Sequence, residues 1–242
     1  MSEPLLSING VTKRFGNFVA VSDISVAFAE GERVGIIGPN GSGKTTFINC
    51  IAGRLRPDSG SIRFAGRDVT VLEAHKRAQL GIARTFQIPQ PFQNMTLIEN
   101  LYVPLDFGAR KKDADAKDIR QSAMDILGSL GLAAKADARC DKLSQIELRK
   151  LELARALAGR PRLLISDEAM AGLSSAEVDE VLAILFSLAE RGITVVMIEH
   201  IMRAIMRFSE RVLCIIAGKL VATGRPDEIV RDPQVRKAYF GE

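Results

Sequence analysis

A single run of nine residues constrains this chain more than any other feature of its sequence. The run has the spacing Gly-x-x-x-x-Gly-Lys-Thr of a phosphate-binding loop, and it consists of Gly38, Pro39, Asn40, Gly41, Ser42, Gly43, Lys44, Thr45 and Thr46. The segment 33–37 before it is apolar enough for a buried strand, and 45–52 after it has helical spacing. Strand, loop and helix in this order are the context that the motif requires.

The residue types of the loop suit the binding of phosphate groups. A triphosphate needs many donors from one side, and glycines let successive backbone N–H groups turn toward one concavity. The helix that follows adds the positive end of its dipole. In such a site Lys44 reaches the β- and γ-phosphates, while the Thr45 hydroxyl binds Mg²⁺. The sequence therefore predicts a site for a nucleoside triphosphate with Mg²⁺.

Length and composition are those of one globular domain. The chain has 242 residues, of which 47% are apolar, and this is enough to bury one substantial core. The net charge is only +4, and the basic residues are scattered without interleaved aromatic residues, so nucleic acid is not an expected partner. The three cysteines are far apart in sequence, which suits a reducing cytoplasm. Without an apolar run of roughly 20 residues, we expect any membrane attachment to come through a partner.

Alternating polarity near the start of the chain predicts strands of a half-exposed antiparallel sheet at 5–8 and 22–28. Phe15 lies between these two segments. Its ring could pack into the core, or it could stack on a purine base, since it lies just upstream of the phosphate loop. The periodicity of the sequence leaves both interpretations open.

Helical spacing replaces strands from about residue 88 to 159, and strand patterns then resume. The later strands alternate with helical segments and are expected at 163–166, 194–198 and 212–216. This alternation is typical of βαβ units and of a largely parallel sheet. We therefore expect an α/β fold in one domain with a mostly parallel core sheet, an N-terminal antiparallel β subdomain and a helical subdomain insertion. The core would comprise residues 1–87 and 160–242.

Polar side chains follow three of the predicted strands. Asp167 and Glu168 come directly after the strand 163–166, His200 follows 194–198, and Gln87 follows the strand predicted at 81–86. The carboxyl edge of a parallel sheet is where nucleotides bind. Asp167 would hold Mg²⁺ there, and Glu168 is placed to polarise an attacking water as general base. His200 could reach the γ-phosphate, and Gln87 could reach a bound metal or water.

In this order along the chain, the motifs resemble those of the ATP-binding subunits of ABC transporters. The residues that carry the resemblance are Phe15, the loop 38–46, Gln87, Leu143-Ser144, Asp167-Glu168 and His200. The resemblance covers nearly the whole chain. Three segments look like the branched-chain amino acid importer branch of that family, namely 82–87, 95–101 and 235–242.

The resemblance implies a role for each matching residue. Phe15 would stack on adenine, and the loop 38–46 would bind the phosphates of ATP. Catalytic roles would fall to Glu168 as general base, His200 as switch, Lys44 on the phosphates, and Gln87 as the link to the membrane subunit. Mg²⁺ would be held by Thr45, Gln87 and Asp167. Family members work as head-to-tail dimers, in which each ATP lies between one phosphate loop and the partner's signature motif.

The signature motif is where this sequence departs from the family pattern Leu-Ser-Gly-Gly-Gln. Here the residues are Leu143, Ser144, Gln145, Ile146 and Glu147. Ser144 is kept and could still donate to a γ-phosphate. Ile146 replaces the glycine that lets backbone approach phosphate, and Glu147 adds negative charge. We therefore expect a heterodimer with a second ATP-binding subunit of intact signature, with a homodimer as the alternative.

The function expected from the resemblance is that of an ATP-hydrolysing subunit. It would power an ABC importer for branched-chain or other small amino acids or related solutes. It would lie in the cytoplasm, on the inner face of the cell membrane, bound to transmembrane permease subunits and indirectly served by a solute-binding protein. The alternatives are the ATPase of a lipid or lipopolysaccharide exporter and a soluble ABC ATPase that acts as an assembly factor. A P-loop kinase would explain neither Ser144 nor His200.

Overall fold

A six-stranded sheet carries the phosphate loop in the computed structural model, which describes residues 3–86, 88–107 and 116–240. The strands are β1 (Leu6–Phe15), β2 (Phe18–Phe28), β3 (Arg33–Ile37), β4 (Ser59–Phe64), β5 (Arg67–Asp68), β6 (Ile82–Arg84), β7 (Leu163–Asp167), β8 (Thr194–Ile198), β9 (Arg211–Ile216) and β10 (Lys219–Gly224). The helices are α1 (Lys44–Ile51), α2 (Ala74–Leu80), α3 (Glu99–Phe107), α4 (Ala116–Ser129), α5 (Gln145–Ala158), α6 (Ser175–Glu190), α7 (Met202–Phe208), α8 (Pro226–Arg231) and α9 (Pro233–Phe240).

The strand order of the large sheet is β10-β9-β3-β8-β7-β6. All of its neighbouring strands are parallel except β10, which pairs antiparallel with β9. A second sheet, of order β2-β1-β4-β5, is antiparallel throughout. The predicted α/β fold, with a mostly parallel core sheet and an N-terminal antiparallel sheet, is therefore confirmed.

The first two strands are longer than their sequence pattern indicates. We expected strands at 5–8 and 22–28, but β1 continues to Phe15 and β2 begins at Phe18. The register between them shifts after Ile8 and again before Arg14. Each irregularity disrupts the alternation of side chains between the two faces of the sheet. The polarity pattern of the sequence therefore no longer indicates a strand there, although the backbones stay paired.

The large sheet is buried on both faces. In β8, Val195 and Met197 pack in one apolar cluster, while Val196 and Ile198 pack in another. Alternate residues of a strand point to opposite faces, so each cluster covers one side of the sheet. The first cluster includes the helices between β6 and β7, and the second includes α1 and the antiparallel sheet.

The described part of the segment between β6 and β7 is helical, as its spacing predicts. Helices α3, α4 and α5 contact one another. Leu101, Leu127 and Leu151, one from each helix, are fully buried in a shared core. The limits of this segment as a subdomain, at about 88 and 159, stay a prediction.

The pairing of three parallel strands places the polar residues at one edge. Ile36 of β3 pairs with Ile198 of β8, and Ile198 pairs on its other side with Asp167 of β7. The phosphate loop, Glu168 and His200 each follow one of these strands. Parallel strands end at the same edge of a sheet, so the three segments emerge side by side.

Candidate functional site

Two glycines of the phosphate loop occupy places where a side chain does not fit. Gly38 has φ 154°, and a Cβ added to it would lie 2.1 Å from the carbonyl oxygen of Ile215 in β9. Gly43 has φ 102°, and its Cβ would lie 2.2 Å from the carbonyl oxygen of Ala20 in β2. The loop is therefore packed closely against neighbouring backbone at both ends, which only glycine permits.

The ammonium group of Lys44 lies inside the loop. Lys44 is 6% exposed, and its Nζ donates to the carbonyl oxygens of Gly38 at 2.6 Å and Pro39 at 3.0 Å. Burial lowers the pKa of Lys44, whereas the nearby carboxylates of Glu168 and Asp167 act in the opposite direction. The predicted phosphate-binding lysine is thus held at the sheet edge that also carries the predicted metal ligand Asp167 and the predicted general base Glu168.

Glu168 and His200, which were predicted separately, are in direct contact. His200 Nε2 lies 3.0 Å from Glu168 Oε1, although the residues are 32 positions apart. Glu168 has φ 47°, unusual for a residue with a side chain, and its N–H donates to the carbonyl oxygen of Ile198 at 2.9 Å. Sparsely populated backbone conformations concentrate at functional sites. A carboxylate with an imidazole beside it is suited to accept a proton from water.

Asp167 forms a buried ion pair that its sequence position alone does not indicate. Arg84 Nη2 donates to Asp167 Oδ2 at 2.6 Å, and both side chains are less than a tenth exposed. Arg84 Nη1 also donates to Asn49 Oδ1 at 2.5 Å, which ties the strand end to α1. The N–H of Asp167 donates to Thr85 Oγ1 at 3.2 Å. Arg84 thereby orients the carboxylate of Asp167, while Thr85 fixes the backbone of the same residue.

The donor set at this edge fits Mg²⁺. Mg²⁺ prefers oxygen ligands and in nucleotide sites uses one or two carboxylates together with phosphate oxygens and water. Asp167 supplies a carboxylate, and Thr45, at the start of α1, is exposed. Ser42 Oγ, within the loop, is buried and has no hydrogen-bond partner among the described residues. The third predicted metal ligand, Gln87, lies outside the described residues.

Phe15 lies at the tip of the hairpin between β1 and β2. Its side chain is 49% exposed, and Lys13 Nζ lies 5.8 Å from the centre of its ring. Of the two interpretations left open by the sequence, core packing is wrong. Stacking of Phe15 on adenine stays a prediction.

The altered signature motif forms a closed hydrogen-bonded cap on α5. The N–H of Ser144 donates to Glu147 Oε2 at 2.9 Å, and the N–H of Glu147 donates to Ser144 Oγ at 3.4 Å. Glu147 Oε1 also accepts from Lys135 Nζ at 2.6 Å. The hydrogen bond from Lys135, followed by that from Ser144, lowers the pKa of Glu147. An anionic side chain of this chain thus already occupies the helix end where the family pattern predicts a partner's phosphate.

Gln145 and Arg149 connect the same helix to the loop after β7. Gln145 Nε2 and Arg149 Nη2 each donate to the carbonyl oxygen of Ala171, both at 3.2 Å. Arg149 Nη1 also donates to the carbonyl oxygen of Phe86 at 3.3 Å. The start of α5 is therefore attached to the segments that follow β6 and β7, and not only to its own cap.

Glu199, beside His200, is a buried acid whose importance the sequence pattern did not indicate. It is 4% exposed and accepts a hydrogen bond from the N–H of Met170 at 2.9 Å. Desolvation raises the pKa of Glu199 to about 7, with a further contribution from Glu168, while the hydrogen bond from Met170 and the charge of Arg149 act in the opposite direction. An acid with a perturbed pKa next to two predicted catalytic groups is typical of a functional site. This feature depends on burial, so the sequence alone does not show it.

Comparisons with known proteins agree with this geometry. The family model described as ABC transporter matches residues 21–171, and the model described as branched-chain amino acid ATP-binding cassette transporter matches 219–242. The high-affinity branched-chain amino acid transport ATP-binding protein BraF of Pseudomonas aeruginosa is 38% identical, with all of both chains covered. The lipopolysaccharide export system ATP-binding protein LptB of Haemophilus influenzae is 34% identical, with 98% of each chain covered.

Solved structures of ATP-binding cassettes have the same fold. The ADP conformation of MJ1267, an ATP-binding cassette of an ABC transporter, matches with a TM-score of 0.90 and 31% identity, covering all of both chains. A dimeric post-hydrolysis structure of the ATP-binding cassette MJ0796, bound to ADP and Pi, matches with a TM-score of 0.82 and 26% identity over 91% of this chain and 98% of that one. The resemblance inferred from the motifs is confirmed, and this chain belongs to the ABC transporter family as one of its ATP-binding, ATP-hydrolysing subunits.

Proposed function

We propose that this chain energises an ABC importer for branched-chain or other small amino acids or related solutes. The observation that carries the solute class is the match of residues 219–242 to the branched-chain family model. BraF, whose name states branched-chain amino acid transport, supports it along the full chain. The alternative, export of lipid or lipopolysaccharide, has support from LptB at lower identity.

In the proposed mechanism, Glu168 accepts a proton from the water that attacks the γ-phosphorus of ATP. A new oxygen–phosphorus bond forms while the bond from the γ-phosphorus to the bridging oxygen breaks, and ADP leaves. His200, at 3.0 Å from Glu168 Oε1, orients the carboxylate and senses the γ-phosphate. Lys44 neutralises phosphate charge within the loop. Phe15 stacks on the adenine.

Mg²⁺ would be held by Thr45, Asp167 and Gln87, and when bound it neutralises charge on the β- and γ-phosphate oxygens. Arg84 keeps the Asp167 carboxylate in place through their 2.6 Å ion pair. Gln87 would in addition connect the metal site to the membrane subunit. These assignments rest on the family resemblance, and for Thr45 and Asp167 also on the oxygen donors that they supply at the sheet edge.

We propose that the working assembly is a heterodimer with a second ATP-binding subunit. The dimeric MJ0796 structure supports pairing of cassettes as such. The choice of partner rests on Ser144 and Glu147, which close a cap on α5 and place a carboxylate where a partner's phosphate would bind. Ile146 in addition keeps backbone donors away from a phosphate. The competent ATP site would then combine this chain's phosphate loop with the partner's signature motif.

Hydrolysis rates test the heterodimer. Loss of one aligned donor to a developing charge costs roughly 3 kcal/mol, or about a hundredfold in rate. We expect slow hydrolysis by this chain alone, faster hydrolysis when it is mixed with the sister subunit, and partial rescue of the lone chain by the double change Ile146→Gly and Glu147→Gln. Fast hydrolysis by the isolated chain, unaffected by these substitutions, would contradict the proposal and favour a homodimer.

We also propose that the chain lies on the cytoplasmic face of a membrane, where it is bound to permease subunits. A solute-binding protein would deliver the solute to these subunits. No helix within the described ranges is long and apolar enough to cross a membrane. Purification from detergent-solubilised membranes should recover permease subunits together with this chain, and the recovered transporter should take up branched-chain or related amino acids. Recovery with a lipid-exporting permease instead would support the alternative. Tight binding of the chain to protein-free vesicles would contradict attachment through a partner.

A further inference from the structure

The last helix of the chain contacts the first residue of the phosphate loop. The N–H of Gly38 donates to Tyr239 Oη at 2.5 Å, between residues 201 positions apart. One turn earlier in α9, Val235 is 4% exposed. Val235 belongs to the apolar cluster that contains Ile37, the residue before the loop, and Tyr239 packs against that cluster. Helix α9 is therefore packed against the base of the nucleotide site.

Gly38 is held at both of its peptide groups. Tyr239 Oη accepts from its N–H, and its carbonyl oxygen accepts from Lys44 Nζ at 2.6 Å. Glycine has the widest choice of backbone dihedral angles. These two hydrogen bonds therefore restrict the backbone conformation of a residue that is otherwise the most flexible type. Tyr239 and Lys44, from opposite ends of the sequence, thus position the same residue.

The hydroxyl of Tyr239 has a chemical function at this place that a phenylalanine could not supply. Burial raises the pKa of Tyr239 to about 12, so the hydroxyl keeps its proton even at alkaline pH. Phenylalanine would preserve the ring packing but would remove the acceptor for the Gly38 N–H. A buried donor without an acceptor costs more free energy than one hydrogen bond gains.

We propose that Tyr239 is a positioning residue for the phosphate loop, through which helix α9 sets the affinity for nucleotide. Lys44 is the side chain that binds phosphate, so Tyr239 is the contact that continues to hold Gly38 when Lys44 turns to a phosphate group. Coupling between two sites is reciprocal. Nucleotide binding must therefore strengthen the docking of α9 by the same factor. The proposal rests on nucleotide binding by the loop and not on the identity of the transported solute.

The first test compares the variant Tyr239→Phe with two matched controls. ADP binding to the full chain, measured by calorimetry with Mg²⁺ present, should weaken roughly three- to tenfold, the size of one hydrogen bond. In ATP hydrolysis KM should rise by a similar factor, while kcat changes by less than about twofold. Tyr102→Phe removes the hydroxyl of a tyrosine elsewhere, which accepts from Arg120 at 3.4 Å. Val235→Ala loosens the packing of α9 without touching the hydrogen bond.

Both controls should bind ADP like the unmodified chain, even though Val235→Ala lowers the melting temperature. Unchanged ADP affinity in Tyr239→Phe would overturn the proposal. Equal weakening in Val235→Ala would overturn the assignment to the Tyr239 hydroxyl, because general loosening of α9 would then be the cause. Failure of the unmodified chain to bind ADP would instead contradict the nucleotide site itself. The experiment thus tests the nucleotide site and the role of Tyr239 separately.

Hydrogen exchange provides a second, independent test on the unmodified chain. By reciprocity, ADP should slow amide exchange in peptides that cover 233–240 as well as in those that cover 38–43. In Tyr239→Phe, the protection of 233–240 by ADP should fall while the protection of 38–43 persists at saturating ADP. Absence of nucleotide-dependent protection in 233–240 of the unmodified chain would overturn the coupling.

Discussion

His200 Nε2 lies 3.0 Å from Glu168 Oε1, and the two side chains meet because β7 and β8 are adjacent parallel strands. The side chain of Glu168 is 17% exposed and that of His200 is 50% exposed, so water can approach the pair from the side of His200. A general base needs a reachable proton donor and a partner that orients its carboxylate. The contact satisfies the second condition by geometry alone.

Glu168→Gln should abolish most ATP turnover and leave nucleotide binding intact. Loss of a general base lowers a rate by roughly 10²–10⁴-fold. Steady-state hydrolysis and ADP calorimetry on the same preparation measure the two effects separately. Glu190→Gln, at the exposed end of α6, is a matched control and should hydrolyse ATP at the normal rate. Normal turnover by Glu168→Gln would show that another group accepts the proton.

Lys44→Ala should weaken nucleotide binding itself. The Lys44 ammonium lies inside the phosphate loop, and its removal eliminates a cation aimed at the phosphates. We expect a loss of at least about tenfold in ADP affinity. The change Lys76→Ala, on the exposed face of α2, removes the same charge away from the loop and should leave the affinity unchanged. Equal losses in both variants would indicate a general charge effect.

Glu199→Gln should stabilise the chain at alkaline pH. Burial raises the folded-state pKa of Glu199 from the ordinary 4.5 to about 7, so the folded chain binds more protons than the unfolded chain between these values. The stability from this protonated carboxyl is present below pH 4.5 and is lost as the pH rises through 7. We expect the variant to be more stable than the unmodified chain by about 1–3 kcal/mol at pH 8.5.

The gain in Glu199→Gln should vanish near pH 5, where the unmodified carboxyl is protonated and resembles the amide. Thermal melting at both pH values measures the effect, and the exposed Glu190→Gln should show no such pH dependence. A gain that is equal at pH 5 and pH 8.5 would mean that the carboxylate is not destabilised by burial.

Arg77→Met should destabilise the fold substantially. Arg77 is 1% exposed, and its guanidinium donates to the backbone carbonyl oxygens of Cys50, Ile51, Thr70 and Leu72 at 2.7–3.0 Å. Loss of the guanidinium leaves the last carbonyls of α1 without these donors, at an expected cost of about 3–5 kcal/mol in the free energy of unfolding. Lys76→Met, on the neighbouring exposed residue, should cost much less. Similar unfolding free energies for the two variants would contradict this role.

Local features of the sequence determined much of what this chain is. The phosphate loop between a strand and a helix and the acid pair after an apolar strand depend on residues a few positions apart, so short-range pattern reveals them. The bounds of β3 and β8 follow from the same short-range chemistry. Family membership follows from these motifs and from their order.

Tertiary structure alone decided which distant groups meet. Arg84 and Asp167 are 83 positions apart, and Gly38 and Tyr239 are 201 positions apart. The raised pKa of Glu199 depends on burial beneath segments from elsewhere in the chain. Pattern in a sequence reports the period of a helix or strand, whereas a long-range contact depends on how whole elements pack against one another. The candidate site residues were therefore predicted from the sequence, and their contacts with distant groups became visible only in the fold.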